Sequence, residues 1–296
     1  MYSIRGIDVS KWQGKMNWKK AQKAGIQFAF IKAGGAGYYG NYEDIQFKRN
    51  ADECAKHSIP VGYYWYFDPT IDAIKQADYF WKLVESKPRN LPLVLDLETS
   101  KGLSAKKVTN QAVSFSLRLK EHSKRYPILY SRASFLNVST VKSPHWSKME
   151  LWVARYTVRR KPWGNSGESS SLKPAHWDQW VFWQYSADGN GRGAEFGAES
   201  KSIDLDYFIG NAESFSQYTG VVVEPIEVAP EPVGVGIMPI QTVEVTATSL
   251  NLRALPDANS DDLGELVKAS KVPVTKTDGV WMKIEGWIHG GYTKPA

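Results

Sequence analysis

Two carboxylates two positions apart close an apolar run, Leu91-Pro92-Leu93-Val94-Leu95-Asp96-Leu97-Glu98-Thr99. Residues 93–97 read as a buried strand, and its alternation puts Asp96 and Glu98 on one face. Burying two carboxylates side by side is unfavourable unless they are paired or functional. Their repulsion raises the pKa of one of them. A neutral acid then stands beside a charged carboxylate near pH 7, the equipment of general acid–base catalysis. The plainer alternative is that each carboxylate pairs with a neighbouring base such as Lys32 or Arg155.

More carboxylates fall in other apolar runs. Asp8 ends the first, and Asp204 and Asp206 lie in the last. If the sheet closes on itself, Asp8, Asp96, Glu98 and Asp204 converge on one acidic cleft. Asp206 is the weaker candidate, expected above the cleft or capping the next turn. Asp8 has a competing reading as a local turn residue acting through Ser10. Aromatics accompany the acids: Tyr64, Trp65 and Tyr66, then Tyr130, Trp152, Tyr156, Trp183 and Tyr185. Flat apolar faces beside carboxylates suit sugar rings, which offer C–H faces and hydroxyl edges. For any single aromatic, a core role is the simpler explanation; their recurrence near strand ends favours binding. The five His form no metal-binding spacing, no Gly-x-Ser-x-Gly elbow is present, and one cysteine, Cys54, allows neither an internal disulfide nor a Cys-built zinc site. No metal or cofactor is expected.

The elements that must position these residues follow from periodicity. Eight short apolar runs, at 6–9, 28–33, 61–67, 91–98, 127–131, 151–156, 181–186 and 203–210, read as strands. Several are apolar on both faces, as parallel strands under helices should be. Helices are predicted between them: Val108, Ala112, Phe115 and Leu119 share a face after Ser104, and Ala73, Ala77, Trp81 and Val84 do so after Asp72. The pattern is α/β, a (β/α)8-like barrel whose active site lies at the carboxyl ends of its strands. The connections 157–180 and 187–202 are polar and Gly/Ser/Pro-rich, so the second half is expected to be irregular. Gly34-Gly35-Ala36-Gly37 reads as a flexible loop at the cleft rim.

A catalytic domain over 1–216 is followed by a Pro- and Glu-rich stretch, 217–240, which reads as a stiff linker. Residues 241–296 show short alternating runs separated by turns, a small all-β barrel. The chain has 296 residues and a net charge of +6; residues 1–216 hold 31 basic against 21 acidic side chains, so the first domain is the basic one. That field favours an anionic partner. No nucleic-acid-binding signature is present. No apolar stretch suits membrane insertion, and the amino terminus shows no secretory signal. A monomer is expected.

Taken together, several segments resemble family 25 glycoside hydrolases, the phage and bacterial muramidases. They are Gly6-Ile7-Asp8-Val9-Ser10 with Trp12-Gln13-Gly14, Phe30-Ile31-Lys32-Ala33, Gly62-Tyr63-Tyr64, Leu95-Asp96-Leu97-Glu98, Tyr130-Ser131, Leu151-Trp152-Val153-Ala154-Arg155-Tyr156, Trp183-Gln184-Tyr185 and Ile203-Asp204-Leu205-Asp206. They arrive in order across about 210 residues. The resemblance implies a flattened, irregular barrel and hydrolysis of the β-1,4 bond between N-acetylmuramic acid and N-acetylglucosamine in bacterial peptidoglycan. Glu98 is then the general acid, surrounded by Asp96, Asp8 and Asp204, with Tyr64, Tyr130, Trp152, Lys32, Trp183 and Tyr185 contacting substrate. One departure occurs: a His often follows the tyrosine in the third strand, where this chain has Trp65. The tail, at Ser249-Leu250-Asn251-Leu252-Arg253-Ala254 and around Trp281 and Trp287, resembles bacterial SH3-type wall-binding domains. Action at the cell wall is implied; without a signal, the protein would stay cytoplasmic until phage lysis releases it.

The i, i+2 spacing of Asp96 and Glu98 also bears on mechanism. Carboxyls on one strand face cannot flank a sugar as acid and nucleophile. Substrate assistance is expected instead, the 2-acetamido oxygen attacking the anomeric carbon. Rival readings are a related chitinase or N-acetylglucosaminidase, and a non-catalytic wall-binding protein.

Overall fold

A computed structural model describes residues 4–156, 174–223, 241–253, 262–274, 276–278, 280–284, 287–289 and 293–295. The Pro-Glu stretch from residue 224 to 240 lies outside these. The chain forms two compact units. No helix among the described residues is long and apolar enough to cross a membrane.

The first unit holds strands β1 (Arg5–Val9), β2 (Phe28–Gly37), β3 (Gly40–Glu43), β4 (Val61–Tyr66), β5 (Val94–Asp96), β6 (Ile128–Arg132), β7 (Leu151–Ala154), β8 (Phe182–Ser186) and β9 (Asp204–Phe208). Its helices are α1 (Trp18–Lys23), α2 (Phe47–Lys56), α3 (Ala73–Val84), α4 (Ala105–Ser123), α5 (Ala133–Ser139) and α6 (Ala212–Thr219). Eight strands close into a barrel in the order β1-β2-β4-β5-β6-β7-β8-β9, and β9 pairs back onto β1. All neighbours are parallel except β9, which is antiparallel to both β8 and β1. The reason lies in the connection: a parallel neighbour needs a crossover, and residues 187–203 make only short 3-10 turns. They fold over the loop after β1, where the Asn17 amide donates to the Gly197 carbonyl and the Glu199 amide to that of Gln13.

The helices follow the periodicity. Val108, Ala112, Phe115 and Leu119 are fully buried on one face of α4, whose first turn is capped by Ser104. Asp72 caps α3 by accepting from the amides of Ile74 and Lys75. Residue 216 lies inside α6, which runs on to Thr219. Phe215 packs on Phe208, and the Tyr218 hydroxyl donates to Glu150 at 2.7 Å.

Alternation sorts the strand residues into two layers. Phe28, Phe30, Val94, Ile128, Trp152, Phe182 and Phe208 pack inside the barrel. Ile7, Ala29, Ile31, Trp65, Leu95, Leu129, Val153, Trp183 and Leu205 face the helices and loops outside. Even-numbered positions point inward on all eight strands, in β2 as far as the register shift after Lys32, and the interior aromatics plug the barrel below its carboxyl end. Gly6 makes room for this plug: a Cβ there would stand 2.3 Å from the Phe28 ring. Gly6→Ala should therefore overpack the interior by about 1–3 kcal/mol. Thermal unfolding checks this, with Tm expected to fall by roughly 3–10 °C.

Gly34–Gly37 is not a loop. Strand β2 continues through it and turns back as β3, pairing Gly35 with Tyr42 and Gly37 with Gly40. The glycines are needed for close approach, since a Cβ on Gly34 would lie 2.1 Å from the Tyr42 carbonyl oxygen.

The second unit is all-β. Strands β10 (Gln241–Val245), β13 (Lys271–Val274) and β17 (Thr293–Pro295) form one sheet, in the order β13-β10-β17. Strands β11 (Ser249–Arg253), β12 (Asp262–Val267), β14 (Lys276–Asp278), β15 (Trp281–Lys283) and β16 (Trp287–His289) form the other. Val243, Val245, Leu250 and Val274 are its buried core.

Candidate active site

Asp8, Asp96, Glu98 and Asp204 all line one cavity of about 290 Å3, together with Lys32, Tyr64, Tyr130 and Trp152. Each acid arrives on a different logic. Asp8 and Asp96 are inward positions near the carboxyl ends of β1 and β5, and Glu98 stands just beyond, on the same face as Asp96. Asp204 opens β9, and because β9 runs the opposite way, its start lies beside the end of β1: Asp8 pairs with Asp204, and Gly6 with Asp206. Asp206 therefore sits one layer deeper, fully buried. The expectation that it stood above the cleft assumed a parallel eighth strand and is corrected by the reversal.

The acids are held by a few neutral donors. Gln184 Nε2 donates to Asp8 Oδ2 at 2.6 Å. Gln184 Oε1 in turn accepts from the hydroxyls of Tyr130, at 2.6 Å, and Tyr156, at 3.0 Å. The Trp152 indole N–H donates to Asp206 Oδ1 at 2.9 Å, and its ring stacks on Phe30 of the plug with centroids 4.4 Å apart. The remaining oxygens Asp96 Oδ1 and Asp206 Oδ2 have no conventional donor. Both side chains stand beside other carboxyls, Asp96 beside Glu98 and Asp206 beside Asp8. A carboxyl–carboxyl contact holds only with a proton in it, so each pair retains one.

Burial is the first cause of that retention. It raises Asp8 to about 7, with the Glu98 charge adding and Gln184 and Lys32 opposing. It raises Asp204 to about 9, reinforced by the charges of Asp8 and Glu98. Asp96 is pushed well above the usual carboxylate range by burial and then by Glu98. Asp206 is pushed up by burial and then by Asp8 and Asp204. Lys32 supplies the opposing charge, its ammonium lying 4.8 Å from the ring centre of Tyr66 and 5.8 Å from that of Tyr64. The cavity thus offers protonated carboxyls at neutral pH beside an exposed rim of aromatic rings.

Trp183 and Tyr185 were expected to touch substrate and do not line the cavity. Being odd-numbered in β8, they point outward. Trp183 is buried, its indole N–H donating to the Arg155 carbonyl at 2.9 Å, and Tyr185 stacks on Tyr207 at 4.4 Å. Trp65 also faces outward, donating to Gln76 Oε1 at 3.1 Å, so the substitution at that position leaves the cleft lining untouched. Tyr66 and Tyr156, two of the aromatics noted beside the acids, line the cavity, and the residues that sequence reasoning gave no role in the site are Gln184, Ser10, Trp12 and Gln13, which line it as well. The signal for Gln184 was available: it is the inward residue between Trp183 and Tyr185.

Residues 7–194 match the glycosyl hydrolases family 25, and residues 248–294 match the bacterial SH3 domain. Lysozyme M1 of Streptomyces globisporus is 32% identical over 226 residues, covering 71% of this chain and 69% of that protein. An N,O-diacetylmuramidase of Chalaropsis sp is 29% identical over 154 residues, covering 48% of this chain and 72% of its own. The structure of a family 25 glycosyl hydrolase from Bacillus anthracis superposes with a TM-score of 0.60 at 28% identity, covering 74% of this chain and 94% of that one. The match runs from β1 to β8, through the strands that carry Asp8, Lys32, Asp96 and Gln184, and the chain belongs to glycosyl hydrolase family 25.

Proposed function

We propose that this chain is a muramidase that cleaves the β-1,4 bond between N-acetylmuramic acid and N-acetylglucosamine in bacterial peptidoglycan. The observation that carries the proposal is the pairing of Asp96 with Glu98 at the mouth of a buried acidic cavity. Glu98 is the more exposed of the pair. When the shared proton sits on Glu98, it is delivered to the departing glycosidic oxygen. Asp96 is then the carboxylate left behind, on the same strand face. It orients the substrate's 2-acetamido group and offsets the positive charge that develops as the amide oxygen attacks the anomeric carbon. The charge of Asp8 helps keep Asp96 protonated, and Asp8 and Asp204 position the water that opens the cyclic intermediate. Tyr64, Tyr130, Trp152 and Lys32 shape the sugar-binding wall. Two displacements at one carbon give net retention of configuration; net inversion in the first-formed product would rule this route out.

The decisive experiment is digestion of purified peptidoglycan, borohydride reduction and mass analysis of the new reducing ends. Reduced N-acetylmuramic acid is expected. Reduced N-acetylglucosamine would move the specificity to a glucosaminidase, and no new ends would favour a wall-binding protein.

The SH3-type unit is assigned to wall binding, raising the local concentration of the hydrolytic unit. Removing residues 224–296 preserves α6 and should weaken lysis of whole cells by roughly tenfold or more, while cleavage of soluble glycan fragments stays near wild type. Equal loss on both substrates would assign the tail a structural role.

A further inference from the structure

The cavity is small for a polymer: its 290 Å3 lies at the lower end of ligand-pocket volumes. A glycan strand bound there must run on across the rim. The β2–β3 hairpin stands at that rim. Its root is part of the site wall, since Gly35 pairs with Tyr66 on one side and Tyr42 on the other. Its tip is Tyr38-Tyr39, between the paired glycines Gly37 and Gly40.

Nothing in the fold asks for aromatic residues at this tip. Two-residue hairpin turns favour Asn, Asp and Gly, and here the positive φ of 92° falls on Gly40. Tyr38 and Tyr39 are 95% and 97% exposed, so neither contributes to a core. Their rings meet edge to face at 5.0 Å, which leaves a ring face open to solvent.

The distribution of exposed aromatics over the surface points the same way. Among the described residues, the exposed aromatics are Trp12, Tyr38, Tyr39, Tyr42 and Tyr156. Trp12 and Tyr156 line the cavity itself. The Tyr42 hydroxyl lies over the root of the hairpin beside Tyr66, a cavity-lining residue, since a Cβ on Gly35 would stand 2.8 Å from both the Tyr42 hydroxyl and Tyr66 Cβ. The loop carrying Trp12 is tied to the foot of the hairpin, the Lys11 amide donating to Asp44 Oδ2 at 3.1 Å. The exposed rings therefore continue from the cavity along one side to the hairpin tip. The tip is three residues beyond Gly35, about 10 Å of strand.

We propose that Tyr38 and Tyr39 form a distal subsite that stacks on the sugar faces of a β-1,4-linked amino-sugar strand as it leaves the catalytic cavity. This rests on the glycan-hydrolase reading above and extends it from the scissile bond to the length of strand the enzyme grips. Stacking is the mode of contact, because the tip offers ring faces and no charged group.

The test is a binding titration on the full chain with Glu98→Gln, which leaves long strands intact. The ligands are soluble peptidoglycan glycan strands, freed of stem peptides and sorted by length. Adding Tyr38→Ala and Tyr39→Ala should raise Kd for long strands by roughly three- to tenfold, the loss of one aromatic contact. Kd for the shortest strand that binds should stay unchanged. The Phe pair at the same positions should restore the affinity. An equal loss at every length, no loss at any, or a Phe pair as weak as the Ala pair would overturn the proposal. Failure of the muramidase reading is separate: wild-type chain would then release no new reducing N-acetylmuramic acid ends, whatever the Kd values.

Discussion

Glu98→Gln should lower kcat on peptidoglycan by about 10²–10⁴-fold, the span of a lost general acid. The amide matches the carboxyl in shape but has no proton at the strength needed to protonate a glycosidic oxygen. Glu98 is only partly buried, so stability should change by less than about 1 kcal/mol. Unchanged Tm together with unchanged KM would localise the loss to the chemical step. Residual activity within tenfold of wild type would remove Glu98 from its role. The contact with Asp96 sharpens the expectation, since a Gln amide donates to that carboxyl permanently. Asp96 then becomes easier to ionise, so the variant tests the proton source and not merely the charge.

Asp204→Asn should raise stability above neutral pH and lower activity. In the folded chain Asp204 titrates at about 9, raised by burial, against an unfolded value near 4. Between these values the native state binds the extra proton, so stability falls as pH rises across that window. Asn has nothing to ionise. Its advantage should be absent near pH 4 and grow toward pH 9, reaching several degrees at about 2–4 °C per kcal/mol. Paired melting curves at pH 4, 7 and 9 decide it: parallel Tm profiles for the two proteins would show that Asp204 is ionised in the fold like any surface carboxylate. Asp8, at about 7, should follow the same sign with a lower midpoint. The acidic cavity is then a place where function is held at the expense of stability.

Much of this was legible in the residue pattern. The eight barrel strands and the inner faces of α3 and α4 follow from alternation and the 3.6-residue period. The acids Asp8, Asp96, Glu98 and Asp204 stand out because carboxylates rarely end apolar strands. Three things were not legible. The direction of β9 leaves no trace in its own residues; only the absence of a helix in 187–203 hints at it, and that reversal decides that Asp206 lies below the cleft. The outward facing of Trp183 and Tyr185 depends on register, which aromatic enrichment does not report. Gly34–Gly37 carries a loop composition, yet its glycines serve close strand contact with Tyr42 and Tyr66.

The shared parity of the barrel restricts how this chain can vary in length. A one-residue deletion in β1 ahead of Asp8 would swing Val9 into the cavity and send the carboxylate toward the helical shell. The same holds for Asp96 in β5 and Gln184 in β8. Insertions and deletions that survive selection should therefore cluster in the connections, such as 187–203, and a saturation scan along any barrel strand should show a beat of two: loss of catalysis confined to the even positions that line the cavity, and loss of folding alone at the odd positions and at the even positions of the plug.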